Sequence, residues 1–368
     1  MKSKWMQFLM VVILAASFAL SGAGVAAAAG DSGAVYTLTN NAAGNAVAIF
    51  NRAADGTLTP AGSVPTGGLG TGAGLGSQGA LTLSANHQWL FAVNAGSNEI
   101  SVFAVQANGL TLADKVSSGG VHPISVTNYK DLVYVLNDGG SGNIAGFTLG
   151  NHGQLTPIAN STRSLSNHGV GAAPGPAQIS FGLDGSVLAV TEKATNQIDT
   201  FAVSDDGLAG QVVIHPSAGV TPFGFAFTRR GTLIVSEAAA STASSYDVSD
   251  DSFELISAAV PTHQTAACWA VATKNGKFAY TANAGSGSIS LYGVGRDGSL
   301  TLRASAAGVT GAGSHPSDMA LSHNSQFLYV LANATQSIGA FAVQGDGSLT
   351  AVSGAGGLPA TAVGLAAW

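Results

Sequence analysis

Short stretches of alternating apolar and polar residues recur along the whole chain, and they come in pairs. LFAVNAGSNEISVFAV from Leu90 and FAYTANAGSGSISLYGV from Phe278 show the pattern. Alternation with period two is typical of β-strands, and a turn of small residues between two such runs is typical of a hairpin. Five related pairs, which bring the total to seven copies, begin at Ala34, Leu132, Ser186, Thr232 and Phe327.

A second turn follows most of these pairs, written as Asp-Gly or Asn-Gly ahead of a Leu-Thr dipeptide. Asp55-Gly56, Asp297-Gly298 and Asp346-Gly347 are clear instances. Such dipeptides favour the positive φ angles of tight hairpins. One more strand precedes each pair after the first, as in GALTLS from Gly79. The sequence therefore predicts an all-β fold, a seven-bladed β-propeller made of four-stranded antiparallel blades.

The two ends of the repeat array complement each other. The first copy begins at Ala34 without a preceding strand, and the last residues, AVGLAAW at 362–368, read as a spare first strand. Pairing them would close the ring and cover both free sheet edges, which otherwise promote aggregation. We expect a single propeller domain over residues 30–368, closed by this C-terminal strand.

The N-terminus has the order of a secretory signal peptide. Lys2 and Lys4 precede an apolar run from Phe8 to Leu20, and small residues follow up to Ala29. We expect residues 1–29 to be removed and the protein to be secreted or periplasmic. The alternative is an uncleaved membrane anchor, for which this run is short, because a span needs about 20 apolar residues.

Charge and composition narrow the range of partners. The chain carries 13 basic and 19 acidic residues, a net charge of −6, and it has no basic run. Nucleic acid and anionic membranes are therefore poor partners. Cys268 is the only cysteine, so no internal disulfide can form. We expect a monomer that needs no metal or other cofactor, because no short His spacing or carboxylate cluster is present.

The repeat motifs also resemble a known family. The VYVLN-type strand, the Ile-x-x-Phe strand and the Asp-Gly-x-Leu-Thr turn are similar to those of the lactonase-like seven-bladed propellers. That family includes bacterial 6-phosphogluconolactonases and fungal carboxymuconate-lactonizing enzymes. The resemblance implies chemistry on a lactone ring at the central channel, carried by His, Arg and Glu side chains.

The family's site residues match this sequence only in part. The resemblance puts Gln178 near the place of a family His and Glu237 at that of the Glu. Phe223 and Ser317 stand where the family has arginines. Losing two cations weakens both anion binding and the stabilisation of a developing oxyanion.

Histidines provide the first candidates for catalysis. One occurs in each of five successive stretches between blades: His122, His168, His215, His263 and His315. His122 and His315 each precede a Pro at the start of an inner strand, which puts them nearest the channel mouth. Either could activate water as a general base, with Glu237 orienting it or relaying the proton. The alternative is that they are ordinary polar residues of loops.

Ligand-binding candidates come from the inner strands and the turns beside them. Phe223 and Trp269 begin inner strands and could stack on a ring-shaped ligand, or simply pack between blades. Glu192 and Glu237 replace the Asn of other repeats, either as site residues or as caps of their turns. Further candidates in inner strands are Gln178 and Asp318.

Two functions are consistent with these observations. The first is a secreted lactonase-like propeller that binds a small cyclic or sugar-derived ligand and hydrolyses a lactone at the channel. The second is a non-catalytic binding or scaffold propeller of the cell envelope, whose partner is another envelope protein.

Overall fold

The computed structural model describes residues 31–249 and 251–368, so the predicted signal peptide lies outside the described residues. This part of the chain contains 29 β-strands and one short 3₁₀ helix, Asn333–Thr335. The strands form seven antiparallel sheets, which confirms the predicted seven-bladed propeller. Within the described ranges, no helix is long and apolar enough to cross a membrane.

The strands follow one another blade by blade. Blade 1 contains β1 (Gly33–Leu38), β2 (Ala46–Arg52) and β3 (Leu58–Pro65). Blade 2 contains β4 (Leu81–Leu83), β5 (Trp89–Asn94), β6 (Glu99–Gln106) and β7 (Gly109–Ser117). Blade 3 contains β8 (Pro123–Tyr129), β9 (Leu132–Asn137), β10 (Asn143–Leu149), β11 (Leu155–Pro157) and β12 (Arg163–Ser164). Blade 4 contains β13 (Pro176–Phe181), β14 (Val187–Glu192), β15 (Gln197–Ala202) and β16 (Val213–Pro216).

The remaining blades repeat the same arrangement. Blade 5 contains β17 (Pro222–Phe227), β18 (Leu233–Glu237), β19 (Thr242–Val248) and β20 (Phe253–Pro261). Blade 6 contains β21 (Ala267–Ala272), β22 (Phe278–Asn283), β23 (Ser288–Val294) and β24 (Leu300–Val309). Blade 7 contains β25 (Pro316–Leu321), β26 (Phe327–Ala332), β27 (Ser337–Val343) and β28 (Leu349–Gly356). The last strand, β29 (Val363–Ala367), joins blade 1.

Ring closure occurs where the sequence predicts it. β29 pairs antiparallel with β1, with Tyr36 opposite Ala366, and supplies the missing first strand of blade 1. Beyond the ladder, the Trp368 N–H donates to the Ala34 carbonyl at 3.1 Å. The Trp368 carbonyl in turn accepts from Arg52 Nε at 3.0 Å. The head-to-tail joint therefore includes side-chain bonds as well as the strand pairing.

The first strands of neighbouring blades pack against one another around a central channel, so the first strand is the innermost of each blade. In six blades it carries an irregularity near its start, as between Pro316 and Asp318 in β25. Bulges of this kind redirect side chains and are common beside functional sites. The residue that directly follows the bulge is Ser125, Gln178, Trp269, Asp318 or Leu365 in five of these blades.

Packing between blades explains the recurrent aromatics and turn glycines together. Each third strand buries one aromatic side chain: Phe50, Phe103, Phe147, Phe201, Tyr246, Tyr292 and Phe341. Tyr329 of blade 7 donates its hydroxyl to the Gly56 carbonyl of blade 1 at 2.9 Å. A Cβ on Gly56 would lie 2.2 Å from the Phe327 ring. The turn glycine therefore provides both a positive φ angle, at +87°, and room for the neighbouring blade.

Candidate functional site

The innermost strands of blades 1, 2, 3, 4 and 7 line an open cavity of about 260 Å³. Two of the ligand-binding residues predicted from the sequence, Gln178 and Asp318, lie in its wall. The other polar side chains of the wall include Thr82, Thr127 and Ser180. The lining comes largely from the later parts of the first strands. The cavity therefore lies toward the face that carries the turns between first and second strands.

Among the described residues, Asp318 is the only ionisable side chain in the lining of this cavity. The residue is 1% exposed, and its Oδ1 accepts the Met319 N–H at 2.7 Å. No described residue donates a hydrogen bond to Oδ2. Burial raises the pKa of Asp318 to about 8, although the backbone N–H groups of Met319 and Leu365 act in the opposite direction. Such a carboxyl exchanges protons near neutral pH, and strongly shifted groups in cavities are typical of functional sites.

Thr127 adds a second polar group with unused hydrogen-bonding capacity. Its Oγ1 accepts the Phe181 N–H at 3.2 Å, and no described residue accepts its hydroxyl hydrogen. The hydroxyl can therefore donate to a ligand oxygen in the cavity. By contrast, Gln178 is used to join blades, because its side-chain amide makes two bonds to the backbone of Phe225, at 2.7 and 3.0 Å.

The opposite end of the channel is closed by Ser77 and Gln78, in the junction between blades 1 and 2. The Gln78 side chain crosses to blade 6, where Nε2 donates to the Ala270 carbonyl at 2.8 Å and Oε1 accepts the Ala270 N–H at 3.1 Å. The Ser77 hydroxyl donates to the Ile124 carbonyl at 2.9 Å. We call these two residues the channel plug. Access to the cavity from this end is therefore blocked.

Gly224 makes room for the channel plug. A Cβ at this position would lie 2.1 Å from Gln78 Oε1 and 2.8 Å from the Cys268 carbonyl oxygen. Any side chain here would displace the plug, because both neighbours are held by hydrogen bonds. The sequence motifs do not single out Gln78. It is the only long polar side chain in the Gly-rich stretch 67–79. This junction, residues 66–80, is longer than the next longest, residues 165–175, and long loops often carry function.

The aromatic candidates lie beside the channel plug. The Trp269 indole N–H donates to the Ser77 carbonyl at 3.1 Å, and its ring meets Phe223 edge-on at 5.1 Å between centroids. Both side chains are less than 9% exposed. Lys193 Nζ lies 5.1 Å from the centre of the Phe223 ring and donates to the carbonyls of Gly76 and Pro176, at 2.5 and 2.9 Å. Lys193 thus holds the junction before the plug against blade 4.

His122 lies near a carboxylate on this same face. Its Nδ1 is 4.0 Å from Asp138 Oδ2, and both side chains are partly exposed. Burial raises the pKa of Asp138, while the charges of Lys193 and His122 act in the opposite direction. His315 is exposed. Each of the two histidines directly precedes the Pro that begins an inner strand, β8 or β25, and each takes a positive φ angle.

Glu237 is fully buried within its own blade junction. Its carboxylate accepts hydrogen bonds from the hydroxyls of Thr242 and Ser244 and from the Gly219 N–H, the last at 2.9 Å. Burial raises the pKa of Glu237, and these donors act in the opposite direction. Glu237 is not among the residues that line the cavity. The contacts match those of a cap that holds the junction loop, one of the two alternatives that the sequence leaves open.

Glu192 occupies the equivalent position in blade 4. It accepts from the Ser166 hydroxyl and N–H, at 2.5 and 3.1 Å, and from the Thr195 hydroxyl at 2.6 Å. The pKa of Asp199 is raised to about 9, mainly by burial and to a smaller extent by the adjacent Glu192. The two acids form a buried pair outside the cavity lining. In the part of the chain that the structure describes, no three His, Cys, Asp or Glu side chains converge on a possible metal position.

Comparisons with solved structures agree with this architecture. A candidate 6-phosphogluconolactonase from Bacteroides fragilis has a TM-score of 0.70 at 18% identity, covering 91% of this chain and 98% of its own. A second, from Bacteroides uniformis, gives 0.73 at 18% identity, with 90% and 99% covered. A periplasmic gluconolactonase from Pseudomonas aeruginosa gives 0.70 at 15% identity, with 91% and 98% covered. At these identities the likeness shows a shared fold alone.

The sequence itself places the chain in a family. A search of the curated proteins finds no significant match. The family described as lactonase, 7-bladed beta-propeller, matches over residues 34–167, 133–255 and 235–323, which together span most of the propeller. The motifs, the ring of seven blades and this match agree, and the chain belongs to the lactonase family of seven-bladed β-propellers.

Proposed function

We propose that this protein hydrolyses a lactone or another sugar-derived cyclic ester in the central cavity, outside the cytoplasm. The observation that carries the proposal is Asp318, a buried carboxyl among the residues that line that cavity, whose Oδ2 has no hydrogen-bond partner among the described residues. Because Oδ2 is shielded from solvent, the proposal requires a small movement of its neighbours to admit water. A cavity of about 260 Å³ is close to the lower end of the range for small-molecule pockets and suits a single-ring ligand. Export is supported by the signal-peptide pattern of residues 1–29.

The reaction needs one group that can both accept and return a proton. In the proposed mechanism, ionised Asp318 takes a proton from a water molecule as the water oxygen bonds to the lactone carbonyl carbon. The bond between that carbon and the ring oxygen then breaks, and the same proton passes to the ring oxygen. A pKa of about 8 suits Asp318 to both steps, because general catalysts work best near the operating pH.

The carbonyl oxygen gains negative charge during the attack, and the Thr127 hydroxyl is the group proposed to stabilise it. Its oxygen is fixed by the Phe181 N–H, so the donor is positioned before the ligand arrives. Preorganised donors of this kind contribute more than solvent does, and removing one commonly costs about 100-fold in rate. The arrangement would partly replace the family arginines at the positions of Phe223 and Ser317.

The second candidate function is non-catalytic binding, of a small molecule or an envelope protein. It is favoured by the lining of the cavity, where Asp318 is the one ionisable side chain that the described part of the chain supplies and Gln178 is already bonded to Phe225. Such a cavity binds neutral polar ligands without necessarily transforming them. We expect a monomer under either function.

A hydrolysis assay with a panel of aldonolactones separates these functions. We expect turnover by the purified protein and a loss of at least about 100-fold in kcat/KM for Asp318→Asn. Asp297→Asn is the matched control, because Asp297 lies in an exposed Asp-Gly turn. If His122→Ala or His315→Ala abolishes turnover while Asp318→Asn does not, catalysis takes place at the other face. Ligand binding without turnover of any lactone supports the binding function.

A further inference from the structure

The charge of the cavity wall bears on which lactones it accepts. Within residues 31–249 and 251–368, no Lys, Arg or His lines it, and its one ionisable side chain is acidic. We infer that the cavity accepts uncharged lactones and rejects those that carry a phosphate or carboxylate. This inference rests on the proposed function, and it names the substrate class of the same site.

Lys193, which lies beside the channel plug, cannot serve the cavity as a cation. Lys193 lies on the far side of the channel plug, because it holds Gly76, which immediately precedes Ser77. Its Nζ is already bonded to two backbone carbonyls and lies against the Phe223 ring. A phosphate placed in the cavity would therefore lose part of its hydration without gaining a cationic partner, which is unfavourable.

The residues at the two positions where the family resemblance implies arginine do not supply a cation either. Phe223 is 8% exposed and packs against Trp269. The Ser317 hydroxyl bonds to Asn333 Oδ1 within blade 7. Neither side chain can neutralise an anion, whereas Asp318 would repel one whenever it is ionised.

An uncharged lactone meets compatible groups on every side. The Thr127 hydroxyl can donate to an oxygen of the ligand, and Asp318 accepts a hydroxyl hydrogen when ionised or donates when protonated. Leu81, Met319 and Leu365 supply apolar contacts for the face of a ring. Hydrolysis then turns this neutral ligand into a carboxylate, which the cavity disfavours, so the product should leave readily and inhibit weakly.

The test compares two matched substrates and two matched analogues. With glucono-1,5-lactone and its 6-phosphate, we expect kcat/KM to favour the uncharged lactone by at least about 100-fold. Calorimetry with gluconolactam and its 6-phosphate measures binding independently of catalysis, and only the uncharged lactam should bind. The inference is overturned if the 6-phosphate lactone has an equal or higher kcat/KM, or if the 6-phosphate lactam binds equally or more tightly.

The two assays also separate this inference from the proposed function. Binding of the neutral lactam without turnover of any lactone retains the charge selectivity and refutes hydrolysis. Turnover of both lactones at similar rates retains hydrolysis and refutes the selectivity. If neither lactam binds and neither lactone is turned over, both proposals are wrong.

A change of charge at the cavity tests the cause directly. Leu83→Lys introduces a cation among the lining residues and should raise the relative kcat/KM for the phosphorylated lactone by at least about 10-fold. Leu183→Lys is the matched control on an exposed turn, where the side chain is 50% accessible. An unchanged ratio in a folded Leu83→Lys protein would show that charge does not determine the selectivity.

Discussion

Asp318→Asn should change how the stability of the protein depends on pH. The pKa of Asp318 rises from its ordinary 3.8 to about 8 on folding, because the carboxyl is fully buried. Below both values the carboxyl is protonated in the folded and the unfolded chain. As pH rises between them, the unfolded chain releases this proton and the folded chain keeps it, so stability falls until the pH passes about 8.

The size of this effect follows from the shift in pKa. Each unit corresponds to about 1.4 kcal/mol, so ionising Asp318 costs on the order of 5 kcal/mol of unfolding free energy between pH 4 and pH 9. Asparagine keeps the acceptor for the Met319 N–H and does not ionise. Relative to the wild type, the variant should therefore gain stability as pH rises. Asp199, whose pKa is also raised, contributes equally to both proteins and cancels.

Chemical denaturation of the two proteins at a series of pH values measures this difference. We expect the difference in unfolding free energy to grow steadily in favour of the variant and to level off above pH 8. Asp297→Asn, at an exposed turn, should show no such trend in favour of the variant, because the pKa of Asp297 is lowered in the folded protein. A difference between wild type and Asp318→Asn that stays constant from pH 5 to pH 9 would refute the assignment of a protonated Asp318.

Three further changes test the closure, the buried acid and the channel plug. Deleting residues 361–368 removes β29 and its bonds to blade 1, so thermal unfolding should lose its cooperativity; unchanged melting would contradict the closure. Glu237→Gln leaves one of three donors without an acceptor and should cost about 1–3 kcal/mol in unfolding free energy, whereas a loss of kcat in a protein of normal stability would indicate a catalytic role instead. Gly224→Ala should displace Gln78. The KM for the lactone should then change, and the melting temperature should fall slightly. Unchanged values would show that the plug tolerates a Cβ there.

The fold could be predicted from the sequence because its determinants are local and repeated. Alternation with period two defines each strand, Asp-Gly defines the turns, and seven copies leave few architectures to choose from. The closure was also visible, since the copy at Ala34 lacks a first strand and the segment at 362–368 has no other partner. The inter-blade role of Gly56 was not visible, because it depends on Phe327 of a neighbouring blade that is distant in sequence.

The candidate site was predictable only in part, because its side chains come from five blades. Gln178 and Asp318 follow the bulge of their inner strands, so their place in the repeat points to the channel. That position alone does not separate Gln178, whose amide joins two blades, from Asp318, whose Oδ2 is buried without a hydrogen-bond partner among the described residues. The reach of Gln78 across the ring depends on the diameter of the channel and on the space beside Gly224, which no local pattern encodes.

The channel plug divides the candidate residues into two groups that cannot act on one ligand. Asp318 and Thr127 line the cavity, whereas His122 lies at the junction face, where Lys193 holds the residue before Ser77. A small lactone in the cavity therefore cannot meet an imidazole and Asp318 in a single turnover. We expect substitutions in one of the two groups, but not in both, to abolish activity. The sensitive group then identifies the face at which the chemistry takes place. If both Asp318→Asn and His122→Ala abolished turnover in stable proteins, the plug would have to open during catalysis, and Gly224→Ala would then change kcat as well as KM.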